Sequence, residues 1–191
     1  LTLMENPDEP GTIAEIPRMF TDEAFQKKMV ARLKDPVVRA FWEQEMAKTT
    51  DFHKSEALGY MVSKVGQFVE NKLMRNIIGQ RQSAFDFRDV MDNKKILLVN
   101  LSKGKVGELN SSLLGLILVS KLQMAAMTRV NIPEEERKDF HLYLDEFQNV
   151  TTDSIAVILS EARKYHLTLT IAHQFVAQLE DKIREAVFGN V

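Results

Sequence analysis

The 191 residues carry 25 basic and 27 acidic side chains, a net charge of −2, and are 45% hydrophobic with no cysteine. That is an ordinary globular composition, long enough for one domain with a small subdomain and a sizeable core. It excludes disulfides, thiolate metal sites and a uniformly basic nucleic-acid-binding domain, so any DNA contact has to come from a local loop or a ring of subunits.

The opening LTLMENPDEP has neither the basic nor the apolar region of a signal peptide. Leu1 and the final Gly189, Asn190 and Val191 read as cut ends, so the chain is expected to be a fragment. Up to about residue 93 nearly everything reads helical. Thr21, Asp22 and Glu23 supply a cap and first-turn acids, and Asp35-Pro36 opens a second helix with Pro at its first position. Val37, Val38, Phe41 and Trp42 recur at helical spacing there. A longer helix is expected over 55–78, with a stripe of Leu58, Met61, Val62, Val65, Phe68, Val69 and Leu73, and Gly79 as its stop. Asp86 is expected to cap a short helix ending at Met91.

Beyond residue 93 strands and helices alternate. KILLVNL at 95–101 has the continuous apolar character of a parallel strand buried on both faces. A polar turn at 102–107 and a helix over 108–129 follow. The apolar run 113–119 inside that helix is too short to span a bilayer and reads as buried. A loop at 131–138 leads to a strand at 140–144, a helix over 153–164 and a strand at 167–172. Strand, helix, strand, helix, strand indicates an α/β fold with a parallel sheet. No repeat or low-complexity segment interrupts it.

Asp145 and Glu146 directly follow the strand FHLYL. Ligands of parallel α/β sheets sit outside the carboxyl ends of the strands. A carboxylate pair there suits nucleotide chemistry: Asp145 to hold Mg²⁺ through its water shell, Glu146 to orient or deprotonate an attacking water. The plain alternative is an acidic residue capping the next turn. Gln174 comes one βαβ length later, ~30 residues on. A right-handed crossover puts it on the same sheet edge, where an amide can sense a γ-phosphate; otherwise it is a surface or capping glutamine. Arg163 ends the intervening helix, at the opposite edge, so it acts either in a neighbouring subunit's site as an arginine finger or merely on its own helix dipole.

The turn Ser102-Lys103-Gly104-Lys105-Val106-Gly107 looks like a phosphate loop but lacks the Ser or Thr after Gly-Lys, and no GK[ST] occurs anywhere in the chain. Lys103 and Lys105 meet phosphates of DNA or nucleotide, or belong to a solvated turn. Asn100 contacts nucleotide or caps that turn. His53, His141, His166 and His173 show no metal-ligand spacing; His141 reads as packed within its strand. The run Glu134, Glu135, Glu136 reads as a solvated loop, and Phe41 and Trp42 as core or interface.

With these residues in view, the sequence resembles the motor ATPases of conjugation and type IV secretion, coupling proteins of the TraG/TraD kind within the wider FtsK/HerA group. The segments that carry the resemblance are ILLVNLSKGKVGELNSSLLG, LYLDEFQNVTTDSIAVILSEARKY and LTLTIAHQFVAQL. It implies a RecA-like P-loop half-core over 94–191, with an all-helical subdomain at 1–93, including TIAEIPRMF. It implies that Asp145 and Glu146 are the Walker B pair, that Gln174 senses the γ-phosphate, and that Arg163 of the Arg-Lys pair is a trans finger. The implied substrate is ATP with Mg²⁺. The implied assembly is a homo-hexamer around single- or double-stranded DNA, working with relaxosome or type IV secretion components. The implied place is cytoplasmic, with membrane attachment only through a separate N-terminal segment. The departure is the missing Walker A lysine and loop, expected upstream. Two rivals stay open: a HerA- or FtsK-like pump of repair or segregation, and a non-catalytic nucleotide-fold module that binds protein partners.

Overall fold

The computed structural model describes residues 2–5, 10–151, 155, 158 and 161–189. It divides into two compact units, Leu1–Ser83 and Ala84–Val191. The helix Phe87–Asp92, which precedes the change of pattern read at residue 93, thus belongs with the second unit.

The first unit is helical. Asp22 accepts from the Phe25 N–H at 2.9 Å and starts α1, Glu23–Val30. Asp35 accepts from Val37 and Val38 N–H and starts α2, Pro36–Ala40. The Glu5 carboxylate adds a tertiary tie, accepting from both Lys34 and Asp35 N–H at 2.7 Å. The chain then widens into a π-helical stretch, Phe41–Met46. Trp42 there packs on Phe20 and Phe41 and donates to Thr2 Oγ1 at 2.8 Å.

The helix expected over 55–78 is two helices, α3 (Asp51–Val69) and α4 (Lys72–Ile78). Asn71 causes the break. Its side-chain oxygen accepts from Leu73 and Met74 N–H at 3.0 and 3.1 Å, donors that a continuous helix would satisfy with its own carbonyls. Gly79 caps α4. Of the expected stripe, Leu58, Val65, Phe68 and Val69 are half-buried, while Met61, Val62 and Leu73 are exposed.

The second unit holds the larger core. Asp86 caps α5, Phe87–Asp92. Residues 95–101 do not form the expected strand. Ile96 is 88% and Leu98 90% exposed, so the run is not covered on two faces. A cavity of about 1260 Å³ separates it from the next strand, so the ladder that would define it does not close. A single helical turn, Lys103–Val106, follows. Gly107 then adopts φ 84°, a left-handed geometry open to glycine, and launches α6, Glu108–Met127.

α6 is the core helix. Val119, Leu122 and Ala126 are buried beside Phe147, Val150, Ile155 and Leu167, and Leu114 is buried on the same helix. With the turn after it, Glu108–Asn131 is long and apolar enough by composition to cross a membrane, more than the run 113–119 suggests. Its buried positions are occupied by this fold's own core. Gly115 lets α6 approach that core closely, because a Cβ there would lie 2.3 Å from Val150 Cγ1. Gly115→Ala should gain about 1 kcal/mol of helix propensity but lose about 1–3 kcal/mol to overpacking. The expected net result is a lower urea midpoint at unchanged m-value; a raised midpoint would contradict this packing.

β1, Phe140–Leu144, pairs in parallel with β2, Leu167–Ile171, in the register Phe140↔Leu167 to Leu144↔Ile171. Both strands lie where the alternating pattern put them. The sheet among the described residues has these two strands. Residues 153–164, expected to be the crossover helix, lie largely outside the described residues; what is described ends in a tight helical turn, Ala162–Tyr165. The amphipathic helix α7, Asp181–Gly189, closes the core with Ile183 and Val187.

Candidate functional site

Parallel pairing brings the ends of β1 and β2 to one edge. The ladder continues past the strands: Ala172 N–H donates to Leu144 O at 2.9 Å, and Phe147 N–H donates to Ala172 O at 3.0 Å. These two bonds, both made by Ala172, bracket Asp145-Glu146, and His173-Gln174 follow directly after Ala172.

Glu146 is the centre of the arrangement. Its backbone is left-handed, φ 52° and ψ 43°, which a non-glycine residue adopts only when its surroundings impose it. That conformation turns the chain sharply off the strand, and Phe147, fully buried, anchors it from below. The exposed Glu146 carboxylate receives two amides. Gln174 Nε2 donates to Oε1 at 2.8 Å, and Gln148 Nε2 donates to Oε2 at 2.6 Å. The structure therefore joins Glu146 and Gln174, residues separated in sequence by a crossover. Asp145 is exposed beside them and one of its oxygens accepts from Glu146 N–H at 2.9 Å.

Gln148 was not singled out from the sequence. It follows from chain geometry: a strand ending in a left-handed turn returns the second side chain after it towards the edge. Its Oε1 is buried with no hydrogen-bond partner among the described residues. Asn149 is likewise an added member. Lys103 Nζ lies 3.1 Å from Asn149 Oδ1 and 2.8 Å from Glu108 Oε1. The Lys103 ammonium holds the Glu108 carboxyl below its usual value by hydrogen bonding first and charge second. Lys103 thus ties the solvent-exposed 102–107 turn to the turn that carries Glu146. Lys105 is exposed. Asn100 Oδ1 accepts from Ser102 N–H at 3.0 Å, the turn-capping geometry.

Arg163 lies at the other pole. The Ala162–Tyr165 turn feeds the start of β2, and Phe140 N–H, at the start of β1, donates to His166 O at 2.8 Å. Five residues of strand therefore separate Arg163 from Glu146, a distance of about 16 Å. His141, expected to be packed, is exposed on β1 and shares a 2.6 Å hydrogen bond with Thr168. A residue in the alternate, outward register of a strand is solvated, which is why it escapes the core. His166 pairs with Asp139 at 2.7 Å, and His173 is half-buried at the carboxyl edge.

Among the described residues no three His, Asp or Glu side chains converge on a metal position. The exposed Asp145 carboxylate fits Mg²⁺ held mainly by water and phosphate, the coordination Mg²⁺ favours.

A family model, the type IV secretory system conjugative DNA transfer family, matches residues 20–187. No curated protein and no solved structure matches the chain. The match covers both units and runs through Asp145, Glu146, Arg163 and Gln174, so the chain belongs to the type IV secretory system conjugative DNA transfer family.

Proposed function

We propose that this chain is the Walker B part of an ATP-driven DNA-translocating motor, a coupling protein of conjugation, with a RecA-like half-core in its second unit and a helical subdomain in its first. The observation that carries this is the Glu146–Gln174 hydrogen bond across the β1–β2 edge, 2.8 Å long. That bond sets the candidate general base beside the candidate γ-phosphate sensor at the carboxyl edge of the strands.

In this reading Glu146 accepts the proton of the attacking water, and Gln174 and Gln148 orient its carboxylate until nucleotide draws them away. Each carboxylate oxygen has a second lone pair beyond the one its amide occupies. Asp145 would hold Mg²⁺ through its water shell, and the ion would supply charge neutralisation for the phosphates. Lys103 connects this edge to the 102–107 turn, the surface proposed to meet DNA. Asn100 shapes that turn. Arg163 serves the neighbouring subunit in a hexameric ring, because its own carboxylates lie at the far end of the strands. ATP is the substrate, DNA the cargo, and the cytoplasm the place of work.

The 191 residues contain no GK[ST] phosphate cradle. On their own they are expected to show neither tight ATP binding nor turnover in an equilibrium-binding and phosphate-release assay. Mg²⁺-dependent turnover by these residues alone, abolished by Glu146→Gln, would contradict this. In the complete protein, DNA-stimulated ATP hydrolysis that Gln174→Ala lowers without weakening ATP binding supports the reading. Hydrolysis indifferent to both Gln174 and Glu146 removes its basis.

A further inference from the structure

Three consecutive backbone carbonyls, of Lys164, Tyr165 and His166, end the tight turn that carries Arg163. Carbonyls at such an end have no partner within the helix and are ordinarily met by water or by a basic side chain of the same segment. Here two guanidinium groups from elsewhere reach all three, and His166 O is shared with the Phe140 N–H that opens the β1–β2 ladder. Arg129, completely buried, donates from Nη1 to Tyr165 O at 2.9 Å, to His166 O at 3.4 Å and to Lys138 O at 2.9 Å. Its Nε donates to Asp92 Oδ1 at 3.0 Å. Arg137 donates to Lys164 O, and to Arg129 O and Ile132 O at 3.1 and 3.0 Å. Its guanidinium also lies 5.6 Å from the centre of the Tyr165 ring.

This arrangement removes the bland explanation of Arg163. Its charge is not needed at the carbonyl end, because Arg129 and Arg137 already supply two cations there. Lys164 turns back to Glu161 at 3.0 Å. The Arg163 side chain is exposed and engages none of the described residues. We propose that Arg129 and Arg137 are positioning residues, a two-guanidinium clamp that fixes the Ala162–Tyr165 turn and so presents Arg163 to a neighbouring subunit. The inference rests on the proposed trans role of Arg163.

The clamp makes an asymmetric demand. It governs what a subunit gives its neighbour and leaves that subunit's own carboxylate edge untouched. The test uses the complete, assembled protein with Arg137→Gln, the more tolerated change because Arg137 is half-buried, and Arg137→Lys as the conservative variant. ATP affinity should stay within twofold of the unsubstituted protein, while turnover of homogeneous rings should fall at least tenfold. Mixing Arg137→Gln with Glu146→Gln subunits should restore part of the turnover, because the Glu146→Gln subunit donates an intact Arg163 to a neighbour with an intact base. Arg137→Lys should recover only a fraction, since one ammonium cannot span the carbonyls that the planar fork joins. Amide exchange at residues 164–166 should accelerate in both variants.

A purely structural role predicts loss of ATP affinity and no recovery on mixing; that result overturns the proposal. Unchanged turnover and unchanged exchange in Arg137→Gln overturn it as well. If exchange accelerates but Arg163→Ala rings retain full turnover, the trans role of Arg163 fails while the clamp survives as a fold element.

Discussion

Glu146→Gln in the complete protein should reduce steady-state ATP turnover by about 10²–10⁴-fold, the usual contribution of a positioned general base. ATP affinity should change little. The substitution keeps the size of the side chain and removes its ability to take a proton. The local structure should also survive. The left-handed turn at Glu146 is held by backbone bonds on both sides and by the buried Phe147, none of which needs the charge. One of the two amide contacts, from Gln148 or Gln174, can still be met by the new side-chain oxygen. The other becomes an amide facing an amide nitrogen, a small loss at an exposed position. Stability should therefore move by less than about 1 kcal/mol, so lost turnover is not lost fold. Phosphate release at saturating ATP, with affinity measured separately, checks both halves.

Arg163→Ala should lower turnover of assembled rings by up to about 10³-fold, the lower end of what an arginine finger supplies. Subunits that do not assemble should show no effect, because Arg163 lies at the pole away from their own carboxylates. The thermal stability of the folded subunit should be nearly unchanged, since Arg163 is exposed and its neighbouring carbonyls are held by Arg129 and Arg137. Mixed rings of Arg163→Ala with Glu146→Gln subunits should regain turnover above either parent. Mixed rings that never recover remove the support for a trans finger.

How far the sequence carried this picture depends on what each residue answers to. β1 and β2 were legible because they sit in a strand–helix–strand order that leaves few other options, and their parallel register brought Gln174 to Glu146 as a crossover requires. Asp22, Asp35 and Asp86 were legible as caps because a cap is a local bond. Asn71 was not, because an apolar stripe running through 55–78 outweighs one polar residue until its side chain is seen taking the Leu73 and Met74 N–H groups. The 95–101 run misled in the opposite way. Its composition is that of a buried strand, but a strand exists only where a neighbour accepts its hydrogen bonds, and composition does not say whether that neighbour is close enough. Gln148 was hidden because it depends on a left-handed φ at Glu146, and nothing about a glutamate announces one. The roles of Arg129 and Arg137 were hidden for a related reason: each is defined by the carbonyls around it, which come from three separate parts of the chain.

Whether the β1–β2 edge performs hydrolysis and not merely nucleotide binding is decided by a single-turnover experiment on the complete protein, with labelled ATP prebound to Glu146→Gln and chased with Mg²⁺ and DNA. The label should stay bound as ATP for many multiples of the unsubstituted protein's turnover time. Conversion of the bound label to ADP at the unsubstituted rate would contradict it.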